Sequence, residues 1–398
     1  MPLLINDTLL SLEDLAKEAQ LEAIFYRRYF HQYPELSWKE DKTLSYLKEK
    51  IEGIQSCSPY IITLKEYRGG LIVDLIIETS LPTLLFRADV DALPIEENTH
   101  LLFSSKNPGV MHSCGHDFHM AMLLVALRII ATHNTAPKSN LRFVFQRAEE
   151  TSLSYCGGKV LIEEGALNCI EKVYALHISS TLPSGVFFSN PGALLANTTL
   201  LDIVVTCSGG HVMSPHQGSN AIDILADILV RLRGIERKLL FDQTMVTIVP
   251  SVLNAGKGTN VRPNSGKLSI AIRNFLSQKQ LDLLIDHIYQ EIVRIISLYP
   301  TANLKTFSLQ NGYPALKNDT IAYESSKNLI SKVLTARVMK PLFAGEDFSY
   351  YLQKKPGCYW LLGAKQGTGH DHHTAEFNPD ESILWKGVYF WLLLAYHG

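Results

Sequence analysis

The sequence predicts an α/β fold in which a mainly parallel sheet is layered with helices and interrupted by a smaller α+β domain. Three observations lead to this prediction. Short apolar runs alternate with helical stretches in the first half of the chain, the pattern changes near residue 195, and the alternation returns after about residue 318. The length of 398 residues also exceeds that of one typical domain.

The first half of the chain supplies most of the predicted sheet. Runs rich in Val, Ile, Leu and Phe predict buried strands at 71–77, 83–88, 142–146 and 173–179. Helical periodicity predicts helices at 15–32, 119–133 and 158–165. The first of these helices should end before Tyr33-Pro34, because a residue that precedes proline avoids the helical conformation. Such alternation is typical of a sheet covered by helices on both faces.

The middle of the chain has the pattern of a compact α+β unit. Strands are predicted at 200–206, 244–252 and 267–275, and helices at 220–233 and 279–297. Ser219 is a candidate N-cap for the first of these helices. The α/β pattern resumes through 318–333 and 358–363 to a C-terminal helix. We therefore predict a discontinuous main domain, 1–194 with 309–398, and an inserted domain, 195–308.

Charge and composition exclude several classes of protein. The 37 Lys and Arg residues nearly balance the 39 Asp and Glu residues, and no block of like charge suggests a nucleic-acid or membrane surface. The apolar run 120–130 contains Arg128 and is too short to span a bilayer. The N-terminus carries early acids rather than the basic start of a signal peptide, and the six cysteines show no framework of close pairs. We expect a cytoplasmic protein that acts on a small molecule.

Residues able to bind metal follow three of the predicted strands. They are Asp89 and Asp91 after 83–88, Glu149 and Glu150 after 142–146, and His177 near the end of 173–179. In open α/β sheets the ligand site lies beyond the carboxyl ends of the strands. These side chains are therefore expected at one edge of the sheet.

Two further segments carry residues of the same kind. The segment MHSCGHDFH (111–119) contains Cys114 and His116 on either side of a glycine, and the segment 370–373 is rich in histidine. Thiolate, imidazole and carboxylate groups are ligands of Zn²⁺ and neighbouring divalent ions. Of the adjacent Glu149 and Glu150, one can hold a metal while the other takes a proton from metal-bound water.

Each of these features has an ordinary structural explanation when it is considered alone. Cys114 would be a small buried residue, Glu149-Glu150 a solvated helix start, His177 a hydrogen-bonded core histidine, and 370–373 an exposed loop. Their expected meeting at one sheet edge favours a metal site over four separate coincidences.

Eight segments occur in the order found in a known family. They are FRADVDALPIEE (86–97), MHSCGHDFHMAMLL (111–124), FQRAEE (145–150), ALHI (175–178), SGGHVMSPHQG (208–218), GTNVRPN (258–264), AGEDFSYYLQ (344–353) and HTAEFNPDE (373–381). They resemble the dinuclear-metal amidohydrolases that include bacterial aminoacylases, hippurate hydrolases and plant indoleacetyl-amino-acid hydrolases. The resemblance runs from about residue 20 to residue 395.

The resemblance implies roles for individual residues. The metal ligands, shared between two divalent ions, would be Cys114, His116, Glu150, His177 and His373. In the main domain, Glu149 would be the general base and acid, and Asp89 a carboxylate that orients a ligand. In the inserted domain, a lid and dimerisation domain, His211 and Asn260 would reach substrate, often in the partner subunit, and Arg273 would bind the substrate carboxylate.

The implied activity is metal-dependent hydrolysis of the amide bond of an N-acyl amino acid or a small peptide-like substrate. Metal-bound water would attack, with Glu149 as the general base. Mn²⁺ or Zn²⁺ is expected, with Ni²⁺ and Co²⁺ as alternatives. The implied assembly is a homodimer formed through the inserted domain.

Three alternatives to this activity remain open. A metallo-dipeptidase or carboxypeptidase would use the same residues with a different pocket. A thiol hydrolase with Cys114 as nucleophile would leave Glu149, Glu150 and His373 without a role. A binding protein without activity would not need the general base.

The sequence departs from the family pattern in one segment. Arg147 stands where the family usually has proline, and TSLSYCGG (151–158) is longer than the usual glycine-rich turn. Neither departure removes a proposed ligand. Both are expected to affect the shape of the pocket and therefore the choice of substrate.

Overall fold

The structure, a computed structural model, describes residues 11–151 and 155–398. The chain divides into two compact units, and part of the long turn 151–158 lies outside the described residues. The first unit runs to Leu194 and includes Lys317–Lys340 and Glu346–Gly398. The second unit is Leu195–Leu316 with Pro341–Gly345.

The first unit is built around a large sheet. In order along the chain up to Leu195, its elements are α1 (11–18), α2 (Gln20–Gln32), α3 (Asp41–Cys57), β1 (Ile61–Tyr67), β2 (Gly70–Ile76), β3 (Thr83–Asp89), α4 (His116–Thr132), β4 (Asn140–Gln146), α5 (Gly157–Glu163), β5 (Ile170–Ser179), β6 (Phe187–Ser189) and β7 (Gly192–Leu195). After the second unit come β14 (Leu316–Asn318), α8 (Thr320–Ile330), β15 (Ala336–Val338), α9 (Ser349–Leu352), β16 (Gly357–Gly363), a 3₁₀ turn (Glu381–Ile383) and α10 (Leu384–His397).

The eight strands of this sheet lie in the order β1-β2-β4-β3-β5-β16-β6-β15. The central strands β4, β3, β5 and β16 are parallel, whereas β1 and β2 pair antiparallel at one side. This arrangement confirms the predicted fold class. Because the central strands are parallel, their carboxyl ends all lie at the same edge of the sheet.

The apolar sequence of the central elements explains why they lie inside. All but the first residue of β3 are buried, as expected for a parallel strand covered on both faces. Helix α4 is buried along nearly its whole length and packs against α2, α3 and α10. An apolar helix without a polar face has to be enclosed in this way.

The second unit has its own sheet and its own apolar core. Its elements are β8 (Asn197–Thr206), β9 (Gly210–His211), α6 (Ala221–Phe241), β10 (Val246–Ala255), β11 (Val261–Arg262), β12 (Ser265–Asn274), α7 (Gln278–Ile296) and β13 (Asn303–Asn311). The antiparallel strands lie in the order β10-β12-β8-β13, and β9 pairs with β11 as a short ribbon. Helix α7 begins with a reciprocal capping box between Ser277 and Gln280.

Three predicted boundaries were wrong. The predicted helix 15–32 is interrupted by a turn at Ala19. Helix α6 is capped by Asn220, whose side chain accepts a hydrogen bond from Ile222 N, rather than by Ser219. The predicted domain end at residue 308 falls inside β13, which is hydrogen-bonded to β8 and therefore belongs to the second unit. No helix of the described residues combines the length and the apolar composition needed to span a membrane.

A buried arginine connects the carboxyl ends of the central strands to the segment before α9. Arg87, in β3, lies 2.6 Å from Asp89, 3.2 Å from Glu346 and 2.7 Å from Asp347. Asp347 also accepts hydrogen bonds from Gln146 Nε2 and Gly158 N. Burial raises the pKa of Asp347 to about 7, and Arg87 opposes the rise. The guanidinium thus compensates three buried carboxyl groups at once.

Replacing Arg87 with methionine should destabilise the protein, and by more at alkaline than at acidic pH. Removing one partner of a buried ion pair typically costs about 3–5 kcal/mol. Without the guanidinium, the pKa of the Asp347 carboxyl group in the folded protein rises further above its unfolded value of about 4. A raised carboxyl pKa favours the folded state at low pH and penalises it as pH rises through the folded value. The difference in free energy of unfolding from wild type, measured by chemical denaturation, should therefore be larger at about pH 8 than at about pH 5.

Arg142→Met in β4 is the matched control for this experiment. Arg142 Nε lies 2.6 Å from Asp74 Oδ1, and water reaches both side chains. This variant should lose less stability, and the loss should be similar at the two pH values. The same pH dependence in both variants would contradict the compensating role of Arg87.

Candidate metal centre

The structure brings the predicted ligand residues together at the carboxyl edge of the first unit's sheet. Glu149 and Glu150 follow β4, and His177 lies near the end of β5. Cys114 and His116 stand at the N-terminus of α4, where Gly115 adopts a left-handed conformation (φ 93°). A Cβ atom on Gly115 would lie 2.5 Å from the Ile178 side chain, so the turn requires glycine.

The candidate ligand atoms form two groups that share one cysteine. The ligand atoms of Cys114, His116 and His177 all lie within 4.8 Å of one another. Those of Cys114, Glu150 and His373 meet the same distance. Cys114 Sγ is 3.5 Å from His177 Nε2, and His373 Nε2 is 3.0 Å from Glu150 Oε1. The Cys114 thiol is thus shared by two groups. One adds two imidazoles, and the other adds one carboxylate and one imidazole.

Hydrogen bonds to backbone oxygens orient the imidazoles of His116 and His177. Nδ1 of His116 lies 2.8 Å from the backbone oxygen of Asp91, and Nδ1 of His177 lies 2.6 Å from the backbone oxygen of Ile178. In each ring, Nδ1–H donates to the carbonyl oxygen, and Nε2 is left as the acceptor. This is the arrangement that protein zinc and manganese sites use to fix the tautomer of a ligating histidine.

The electrostatics of the site call for positive charge. Burial, together with Glu346 and Glu150, raises the pKa of Glu149 well above its usual range. Burial opposes protonation of His116, but Asp89 and Asp91 outweigh it and raise the pKa of His116 to about 10. A cluster with so many carboxylates therefore takes up a cation, either a proton or a metal ion.

The residues present fit divalent metal ions. Nε2 of His116 is a buried polar atom that makes no hydrogen bond to any described residue. Buried polar atoms are rarely left without partners in folded proteins. Thiolate, imidazole and carboxylate together form the donor set of Zn²⁺ and related ions. The two groups that share Cys114 would accordingly hold two ions.

The orienting role predicted for Asp89 fits Asp91 better. Asp89 lies 3.7 Å from His116 Nε2, whereas its short contacts are to Arg87 and His119. Asp91 Oδ1 is 3.3 Å from His116 Nδ1, and its Oδ2 accepts hydrogen bonds from Glu150 N and Ser37 Oγ. Asp91 therefore contacts two ligand candidates, whereas Asp89 acts through His119.

The structure also separates His373 from its neighbours in the histidine-rich segment. Nε2 of His372 accepts a hydrogen bond from Ser180 N at 3.3 Å, so this nitrogen is occupied. His370 is exposed and belongs to none of the ligand groups found among the described residues. His373 alone of the three lies beside Glu150.

The residues predicted to contact substrate lie in the second unit. His211, in β9, is exposed and pairs with Val261 of β11, and Val212 N donates to Asn260 O at 3.3 Å. His211 and Asn260 therefore share one short ribbon. Arg273 lies in β12, and its Nη1 atom is buried without a hydrogen-bond partner among the described residues.

Several residues of the site were not predicted individually. His119 joins Asp89 to the end of β5, because its Nδ1 lies 2.6 Å from Asp89 Oδ1 and its Nε2 accepts from Ile178 N. Burial lowers the pKa of His119 to about 3, which keeps the ring neutral. Glu346 and Asp347 lie beside Glu149 in a third acidic group. All three belong to segments quoted for the family resemblance, but their roles follow only from the fold.

Comparison with known proteins agrees with this site. Residues 85–397 match peptidase family M20/M25/M40. Thermostable carboxypeptidase 1 of Saccharolobus solfataricus is 32% identical over 400 residues, which cover 98% of each chain. An N-acetyldiaminopimelate deacetylase of Lacticaseibacillus paracasei is 34% identical over 381 residues, covering 94% of this chain and 96% of the relative.

A solved structure of a dinuclear metal-binding M20 peptidase from Bacillus subtilis superposes with a TM-score of 0.80. It is 25% identical and covers 95% of this chain and 98% of that chain. These similarities confirm the family resemblance and the predicted class, a hydrolase of amide bonds: the chain belongs to peptidase family M20/M25/M40.

Proposed function

We propose that the protein hydrolyses the amide bond of N-acyl amino acids, with Glu149 as general base and two divalent metal ions as cofactors. The observation that carries this proposal is the pair of ligand groups sharing Cys114, with Glu149 directly beside them. The ligand atoms of Glu149, Glu150 and His116 lie within 4.8 Å of one another. The acid that moves protons and the acid that holds metal are thus neighbours in sequence and in space.

Bound divalent ions would polarise the scissile carbonyl and lower the pKa of the attacking water. Glu149 takes a proton from this water as its oxygen attacks the carbonyl carbon. When the carbon–nitrogen bond breaks, Glu149 gives the proton to the leaving nitrogen, so that the products are a carboxylate and an amine. Burial and the neighbouring carboxylates raise the pKa of Glu149, which helps it to retain the proton between these two steps.

The relatives favour a substrate with a free carboxylate beside the amide. Deacetylation of an amino acid and removal of a C-terminal residue from a peptide both leave this carboxylate on the amine product. Arg273, with its partnerless Nη1 atom, has the chemistry to bind it. The second candidate function is therefore a metallo-carboxypeptidase, which the similarity to thermostable carboxypeptidase 1 supports.

A thiol hydrolase is disfavoured by the surroundings of Cys114. Burial and the neighbouring Glu150 and Glu149 raise the pKa of its thiol well above the usual range. A nucleophilic cysteine needs the opposite shift, because the thiolate is the reactive form. The same carboxylates suit a thiolate whose charge is balanced by metal.

Activity should depend on metal and on the free carboxylate of the substrate. Chelation should abolish turnover, and Mn²⁺ or Zn²⁺ should restore it. With restored enzyme, acetyl-methionine, benzoylglycine and acetyl-diaminopimelate should be cleaved with a higher kcat/KM than their carboxamide analogues. Full activity in metal-free protein would contradict the mechanism, and faster cleavage of peptides than of any acyl amino acid would favour the carboxypeptidase.

Substitutions at the two adjacent glutamates should have different effects on kcat and on metal occupancy. Glu149→Gln should retain metal and lose about 10²–10⁴-fold in kcat, because it removes the proton carrier and no ligand. Glu150→Gln should instead lower metal occupancy, measured by elemental analysis of the purified protein. Glu163→Gln, at the exposed end of α5, is the control and should change neither quantity. Exchanged phenotypes for positions 149 and 150 would reverse the assignment.

His211 is proposed to act in the active site of the partner subunit of a homodimer. His211→Ala and Glu149→Gln should each be nearly inactive, whereas His216→Ala, an exposed histidine of the same loop, should stay active. When the two inactive variants are mixed by reversible dissociation, each heterodimer holds one site with both residues intact. The mixture should regain about a quarter of wild-type activity. No recovery in proven heterodimers would exclude a role across the dimer.

A further inference from the structure

A strained backbone conformation precedes the two glutamates of the site. Ala148 adopts a left-handed conformation with φ of 54°, immediately after β4 and directly before Glu149. For a residue with a Cβ atom this conformation is strained and persists only where the surroundings enforce it. The question is therefore which groups enforce it here.

Hydrogen bonds fix the polar groups on both sides of the Ala148 α-carbon. Its N–H donates to Glu40 Oε1 at 2.8 Å, and its carbonyl oxygen accepts from Gly157 N at 3.0 Å. Gly157 lies close against this backbone, since a Cβ atom on Gly157 would lie 1.7 Å from the Arg147 oxygen. Glu40 supplies the side-chain acceptor for the Ala148 N–H, and Thr151 Oγ1 donates to the Ala148 carbonyl oxygen at 3.5 Å.

Burial of the Glu40 carboxyl group is energetically unfavourable. Its side chain is fully buried immediately before α3, and its Oε2 atom makes no hydrogen bond to any described residue. Burial and Asp91 raise the pKa of Glu40 to about 7. The Oε1 atom accepts the Ala148 hydrogen bond whether the group is charged or neutral. An apolar residue of similar size would avoid this unfavourable burial. A carboxyl group at this position therefore needs a reason, and the hydrogen bond from Ala148 N–H supplies one.

The segment 37–40 also acts, through Asp91, on the backbone N–H of Glu150. Glu150 N donates to Asp91 Oδ2 at 2.8 Å, and this oxygen also accepts a hydrogen bond from Ser37 Oγ at 2.6 Å. Residues 37–40 therefore contact the backbone around the acidic pair twice, at Ala148 directly and at Glu150 through Asp91. Arg147 adds a third contact, because its Nη2 atom donates to Asp41 Oδ1 at 2.7 Å.

We propose that Glu40 is a positioning residue, whose carboxyl group holds Ala148 in the left-handed conformation that directs Glu149 and Glu150 into the metal centre. This proposal rests on the function proposed above for the two glutamates. It also gives Arg147 a purpose, since the arginine that replaces the usual proline ties the segment after β4 to the start of α3.

The test compares Glu40→Met with Glu40→Gln and with a matched control. Methionine has nearly the size of glutamate but offers no acceptor to Ala148 N–H, whereas glutamine keeps the oxygen. Glu35→Met is the control, because Glu35 also accepts from a backbone N–H, that of Thr43 in α3, at 2.8 Å. Each methionine variant thus leaves one backbone N–H without its acceptor, and only one of them lies beside the glutamates.

Glu40→Met should weaken Mn²⁺ or Zn²⁺ affinity or lower kcat by about 10–100-fold, with KM nearly unchanged. Glu40→Gln and Glu35→Met should stay within about twofold of wild type in both metal affinity and kcat, although Glu35→Met should lower the Tm. A fall in Glu40→Met no greater than in Glu35→Met would overturn the proposal. So would equal impairment of the methionine and glutamine variants at position 40.

A second variant tests the backbone argument directly and covers the case in which Glu40→Met folds poorly. Glycine adopts positive φ without strain, so Ala148→Gly should restore part of the metal affinity and kcat in the Glu40→Met background. Absence of any restoration would contradict the proposal. If wild-type protein cleaved no acyl amino acid, the proposed function would fail, but metal affinity and unfolding would still decide the role of Glu40.

Discussion

Buried negative charge is the constraint on which the rest of the first unit depends. Parallel strands bring Asp89, Glu149 and Glu150 to one sheet edge, and the segment before α9 adds Glu346 and Asp347. Carboxylates removed from water repel one another and require nearby cations. Arg87 meets this need on one side of the cluster, and the ligand groups around Cys114 leave the other side to metal ions. The stability of the first unit and the proposed binding of metal ions therefore depend on the same balance of buried charge.

The geometry of the glutamates adds a second constraint. Adjacent side chains can serve two purposes only when their backbone is fixed, and here the residue directly before the two glutamates is a left-handed alanine. The contacts that fix it come from residues 37–41, more than a hundred positions earlier in the chain. The loop before α3 thus contributes to the site although it supplies none of the proposed ligands.

Much of this could be predicted from the sequence, and the exceptions have physical causes. The central strands could be predicted because a strand that is buried on both faces needs a continuous apolar run, as in β3. Strand β1 lies at the sheet edge with only Ile62 buried, so it carries no such run and was not predicted. The proposed ligand residues could be selected from the sequence because Glu150 and His177 stand at the ends of strands and all five match a family pattern. The proposed roles of Asp91, His119 and Glu40 could not be predicted. Each role depends on a contact between specific atoms of residues that lie far apart in the sequence.

The hydrogen bond from Gly157 to Ala148 has an evolutionary consequence. It closes the segment between them into a loop that is pinned at its base, and Glu164 ties α5 to the backbone of Arg68 and Gly69. The entropic cost of lengthening a closed loop grows only slowly with its length. Insertions there can accumulate without displacing the glutamates at its start.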